Sequence, residues 1–247
     1  IEHHTGRLWH FSEEEKRHLL LATAAFTLAL GLMVTGGIFG LLRTGFSAWL
    51  ITIVVMMPVM LFAVGPAFLL HEIGHKVVAK KYGCWAEFRA DPKGLKVGVA
   101  IAAILGVVFM APGAVMVAGL VTRRQNGHIA IAGPMVNFGL FLVGIPLGAI
   151  LIALSGANGD VTAILVGNSL NYKLLIWLGI KFWLTANLVL GMFNMLPFGP
   201  LDGLKVKAWS EVAFWAMLGV FAVPLILWWF GDVWNPMDLV SSLASKI

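Results

Sequence analysis

Apolar residues run along this chain in six long blocks, about 18–42, 46–82, 97–120, 129–155, 161–196 and 210–231, parted by short polar stretches. Each block holds at least the roughly 20 residues a helix needs to cross a bilayer. The pattern therefore predicts an all-α polytopic membrane protein with about six transmembrane helices. The first block follows Ser12-Glu13-Glu14-Glu15, a capping-box pattern in which Ser12 and Glu15 can satisfy free backbone N–H groups at a helix start. It is too long for the apolar core of a cleavable signal and is expected to be a true helix. The first residues, with His3 and His4, are given no role.

Two blocks depart from a simple crossing. Residues 46–82 would form a helix roughly 55 Å long, against a hydrocarbon core of roughly 30 Å. Pro58 and Gly65-Pro66 are expected to kink it, and its end, with Lys76, Lys80 and Lys81, is expected to protrude into water. The block at 97–120 starts helix-like from Val97 to Phe109, breaks at Ala111-Pro112-Gly113 and resumes as a strand-like run at 114–118. If it crosses and the amino terminus is cytosolic, ten Lys and Arg fall inside and five outside; if it dips in and returns, thirteen fall inside and two outside, Lys173 and Lys181 being left aside. The positive-inside rule favours the return. Residues 97–120 are thus expected to be a re-entrant element with a small β portion, its backbone satisfied by protein or a wet cavity. Lys181, flanked by Trp177 and Trp183, is expected to snorkel to the outer interface.

Composition agrees with this topology: 60% of residues are hydrophobic, 12% are charged, and the mean hydropathy is +0.90. The net charge of +5 sits beside the apolar blocks and not on a separate basic face, which points to membrane topology and away from nucleic acid. A lone Cys84 excludes an internal disulfide and a zinc site built from several cysteines. Residues 1–247 are expected to form a single membrane-embedded domain, multi-pass in the cell membrane, with the lipid bilayer as its surroundings. No internal repeat of the kind seen in secondary transporters is evident.

Near the end of the second block stands His71-Glu72-Ile73-Gly74-His75. Residues four apart share a helix face, so His71 and His75 can offer ring nitrogens to one zinc, with Glu72 placed to act on a water there. At this chain's His and Glu frequencies the string arises by chance in roughly one such sequence in two hundred. Histidines and a carboxylate at membrane depth are also costly unless they pair, bind metal or line a wet cavity. A catalytic zinc usually takes three protein ligands. Asp202 in Asn194-Met195-Leu196-Pro197-Phe198-Gly199-Pro200-Leu201-Asp202-Gly203 is one candidate, because Pro197 and Pro200 would unwind a helix and let it turn inward; a plain loop turn there is the alternative. Glu211 is the other candidate, although its place at a helix start suits a dipole role.

Together, HEIGH on one apolar block and NxxPxxPLDG on a later one closely resemble the site-2 protease family of intramembrane zinc metalloproteases. The stretch Ala132-Gly133-Pro134-Met135-Val136-Asn137 also resembles that family. The resemblance covers about 70–210, a catalytic core, and implies one zinc ion on His71, His75 and Asp202, with Glu72 as acid/base. It implies a substrate or oxyanion contact for Asn194. Asn137 is read either as helix packing or as a substrate contact, and His128 as a solvated loop residue. The region from Tyr82 to Gly127 is longer and more apolar than in the smallest members, and no PDZ insertion has room to fit. The implied substrates are transmembrane proteins whose helices unwind locally, and the strand at 114–118, with Val115 and Val117, is the candidate edge to receive them. A zincin cleaving at the membrane surface and a non-catalytic metal-binding membrane protein are the competing readings. Glu72 speaks against the second, since metal binding alone does not need it.

Overall fold

The computed structural model describes residues 9–108, 110, 112–160, 162–166, 169–230 and 233–247. His3, His4 and Arg7, and Phe109 and Ala111 of the break in the third block, lie outside the described residues. In chain order the elements are α1 (Glu13–Val34), α2 (Gly37–Thr44), α3 (Phe46–Lys81), β1 (Trp85–Ala90), α4 (Pro92–Leu105), β2 (Gly113–Ala118), α5 (Arg123–Ser155), β3 (Leu165–Val166), β4 (Ser169–Leu170), α6 (Tyr172–Asn194), α7 (Asp202–Trp209), α8 (Glu211–Trp229) and α9 (Pro236–Ala244).

Among the described residues, α1, α3, α5, α6 and α8 are the five helices long and apolar enough to cross a membrane. The chain is an all-α polytopic membrane protein with two small antiparallel sheets, β1–β2 and β3–β4. Of the six apolar blocks, five supply these helices and the third divides between α4 and β2. The first block is not one helix: it breaks at Gly36 and Gly37, whose φ of 73° and 57° glycine tolerates. A Cβ on Gly37 would stand 2.6 Å from the Ala103 carbonyl, so glycine also lets α2 dock against the end of α4. By contrast α3 stays helical through Pro58 and Pro66 for its full 36 residues.

Block 97–120 enters and leaves at one level. Ala90 pairs with Gly113 in the antiparallel β1–β2 register, and Asp91 N–H donates to Pro112 O at 3.3 Å, so the two ends of the intervening segment are side by side. Between them α4 runs along α1, and its cap Gly106 reaches Gly36 beyond the far end of α1. Strand β1 has no counterpart in the block pattern, yet its alternation is readable in hindsight: Ala86 and Phe88 are buried while Trp85, Glu87 and Arg89 are half-exposed.

Ser12 does cap α1, its hydroxyl accepting from Glu15 N–H at 3.2 Å. The Glu15 carboxylate does not close the box. It pairs with Lys76 and accepts from Phe88 N–H at 3.0 Å, joining α1, α3 and β1. Both charged groups are 1% exposed, and Lys76 also lies over the Phe11 ring. Removing one partner of a buried pair strands the other charge, at a cost of about 3–5 kcal/mol. Glu15→Gln is therefore expected to lower the thermal unfolding midpoint in detergent by several degrees, and adding Lys76→Met should recover part of the loss.

Candidate metal centre

The centre lies where α3, α5 and the start of α7 meet. On α3, His71 and His75 stack with ring centroids 4.7 Å apart and planes at 84°. Two glycines allow α5 to come this close. A Cβ on Gly74 would stand 3.0 Å from Ala132 O, and one on Gly133 would stand 2.6 Å from His71 Nε2. The approach brings three α5 groups four residues apart onto the α3 face: Ile129 O, Gly133 and Asn137.

These groups fix the imidazoles. His71 Nδ1 lies 2.6 Å from Asn137 Oδ1 and His75 Nδ1 lies 2.7 Å from Ile129 O. Both partners are acceptors, so each Nδ1 carries the proton and each Nε2 is left with a lone pair. The Asn137 amide is itself oriented, because its nitrogen donates to Ala67 O at 2.9 Å and to Asn187 Oδ1 at 3.0 Å. Asn187 in turn donates to Trp183 O at 2.9 Å. Both asparagines are wholly buried. The Asn137 amide is thus engaged through both its oxygen and its nitrogen behind His71, where it holds a ring in place. Asn187, which the motif reading missed, completes that chain.

Asp202 opens α7 after the loop 195–201. Gly199 takes a φ of 59° in this loop, and a Cβ on Gly203 would stand 2.7 Å from Leu196 O. The loop turns the carboxylate inward. Asp202 Oδ2 lies 3.0 Å from His75 Nε2 and 3.5 Å from His71 Nε2, and those two nitrogens are 3.0 Å apart. The other carboxylate oxygen faces Lys205 Nζ at 3.6 Å.

Two nitrogen lone pairs and an anionic oxygen converge on one buried point, backed by a glycine whose Cβ would fill it. Such a donor set calls for a cation, and the mix of two imidazoles and a carboxylate suits zinc. Among the described residues this is the group of three that could hold a metal, all ligand atoms lying within 4.8 Å of one another. Glu211 is exposed at the first position of α8 and takes no part.

Glu72 lies beside Phe88 and Val115 of the β1–β2 sheet. In an antiparallel pair, opposed residues either exchange hydrogen bonds or both point outward. Phe88 opposes Val115, and its N–H goes outward to Glu15. Val115 therefore lies on the open edge of β2, with Val117 two residues on sharing it. The outer edge of β1 is closed by Glu15, so the edge beside Glu72 is the one left for an added strand. Asn194 is the last residue of α6 and donates back to Leu190 O at 2.9 Å. His128 lies within α5, not in a solvated loop: its Nδ1 is 2.5 Å from Tyr82 Oη and its ring meets Trp209 edge-on. Lys181 Nζ lies over the Trp177 ring, one turn toward the start of α6.

Over 167 residues, 67% of this chain and 75% of the relative, the sequence is 41% identical to a protein of Methanocaldococcus jannaschii named as a candidate zinc metalloprotease. A second protein of that organism, named a zinc metalloprotease, is 29% identical over 138 residues, 56% of this chain and 30% of the relative. Rip3 of Mycobacterium tuberculosis, named as a candidate zinc metalloprotease, is 30% identical over 138 residues, 56% of this chain and 27% of the relative. The chain thus spans three quarters of the first relative and under a third of the other two. No family model and no solved structure matches it. Zinc is the cofactor these names carry, in accord with the donor set.

Proposed function

Since the chain belongs to the site-2 protease family of zinc metalloproteases, we propose that it is an endopeptidase cutting membrane-protein substrates in or near their transmembrane segments. The observation that carries this reading is the placement of Glu72 beside Val115, which sets an acid/base carboxylate next to an open strand edge and near the converging ligand atoms of His71, His75 and Asp202. Residues 1–247 act as one membrane-embedded unit with the catalytic core at about 70–210. The amino terminus is cytosolic, and residues 97–120 enter and leave on that same side.

Bound at His71, His75 and Asp202, zinc supplies Lewis-acid polarisation of the scissile carbonyl and brings the pKa of water toward neutrality. Asn137 and Ile129 O hold the two rings so that both Nε2 atoms face the ion. A Glu72 carboxylate oxygen takes the proton from the attacking water and delivers it to the leaving amine. An unwound substrate segment pairs with β2 through main-chain hydrogen bonds at Val115 and Val117, which accept many side chains. Asn194, at the end of α6 immediately before the loop to Asp202, orients the substrate carbonyl.

Proline substitutions test the edge. Val117→Pro removes an outward N–H that does not touch Glu72, so proteolysis of a single-span substrate should slow about tenfold while zinc content stays at one per chain. Val115→Pro removes the outward N–H beside Glu72 and should slow cleavage further. Wild-type rates in both variants would refute strand addition at β2.

A further inference from the structure

The half of the bundle farther from the metal centre contains an apolar cavity of about 460 Å³ between α3, α5 and α6. Val59 and Phe62 of α3, Leu147 and Leu151 of α5, and Ile176 and Trp183 of α6 line it. Its one side-chain polar group, Trp183 Nε1–H, is already spent on Leu140 O at 2.8 Å. The cavity opens sideways to the lipid-facing surface, where Phe62 is 75% and Leu147 50% exposed. Ala63, at its inner end, stands eight residues before His71, about 12 Å along α3. The cavity is therefore separate from the metal centre.

Its length and its charge identify an occupant. From Leu175 to Trp183 it follows α6 for about 12 Å, close to the roughly 15 Å of hydrocarbon in one leaflet. At the inner end Trp183 crosses to Gly144, where a Cβ would stand 2.6 Å from its Nε1. A transmembrane helix, roughly 30 Å long and 10–12 Å across, cannot run through that wall. At the opposite end the lining stripe of α6 continues upward by one turn, from Ile176 to Lys173. Lys173 Nζ stands 3.5 Å from the Cβ position of Gly156, the cap of α5, so a cation lies between the ends of α5 and α6, one turn beyond the lining. Lys173 is exposed and forms no ion pair among the described residues.

We propose that this cavity binds one hydrocarbon tail of an anionic phospholipid of the surrounding bilayer, with Lys173 taking the phosphate. The site depends on the membrane location of the bundle and not on the proposed activity, so the two can fail separately.

The test is to reconstitute the full chain in vesicles of equal phosphatidylglycerol and phosphatidylcholine, re-extract it in mild detergent and count retained lipid by native mass spectrometry. Wild type should keep one phosphatidylglycerol per chain, enriched about fivefold over phosphatidylcholine, as one lysine near an anionic headgroup gives. Lys173→Gln should keep a lipid but lose the enrichment. Gly179→Leu fills the cavity from a position whose Cβ meets nothing nearer than Val59 Cγ1 at 3.8 Å, and retention should fall at least about tenfold. Leu147→Trp narrows the cavity from α5 and should act likewise, with zinc content reporting that both variants are folded. Unchanged retention in the two filling variants, or a wild type without headgroup preference, would overturn the proposal. Displacement of the lipid by a single-span peptide would overturn it in favour of a helix-docking groove.

Discussion

Replacing Glu72 by Gln is expected to lower proteolysis about 100- to 10,000-fold, the usual contribution of a positioned general acid/base, while zinc stays at one per chain. The separation follows from geometry. His71 Nε2, His75 Nε2 and Asp202 Oδ2 converge on one point, whereas Glu72 is outside that group and stands beside Val115 of β2. Glutamine keeps the size of the side chain, but it cannot take a proton from water. His71→Ala and His75→Ala should lose both zinc and activity. Metal content by plasma emission, measured with cleavage of a single-span substrate, checks both halves; cleavage by Glu72→Gln at a wild-type rate would remove this residue from the chemistry.

The second large effect is expected at Asp202. Its carboxylate is the only anionic member of the ligand group and is held in place by Gly203 and the loop from Met195 to Leu201. Asp202→Ala should weaken zinc retention against a chelator by more than about a hundredfold, beyond what loss of an outer hydrogen-bond partner costs, and activity should fall with it. Glu211→Ala should change neither, since Glu211 is exposed at the start of α8. Zinc loss in Glu211→Ala with retention in Asp202→Ala would move the third ligand to Glu211 and revive the surface-cleaving zincin.

The residues of the centre were readable because each carries local information. HEIGH encodes a helix face by its spacing, and the two prolines with Gly203 mark where α6 must end and Asp202 turn in. The outer support was readable only in part. Asn137 appeared as a polar residue among small ones, but its task depends on Asn187, fifty positions away on α6, and no local pattern states that pairing. The spacing of Glu15 from Ser12 suggests a capping residue; its carboxylate instead meets a buried lysine and a strand N–H that tertiary packing supplies. Strand β1 was hidden because six alternating residues between a helix end and Asp91-Pro92 make a weak signal beside apolar blocks several times as long. The re-entrant path of 97–120 followed from charge asymmetry, while the strand that closes it did not. The break in the first block lay open in Gly36-Gly37 but was outweighed by the continuous hydropathy around it.

The most direct test of the central claim is the position of the cut. A single-span substrate co-reconstituted with the zinc-loaded protein should yield two fragments whose new ends, read by mass spectrometry, lie in or immediately beside its apolar segment, with no cut by Glu72→Gln. A cut confined to the soluble flanks, or one that persists in Glu72→Gln, would contradict the account.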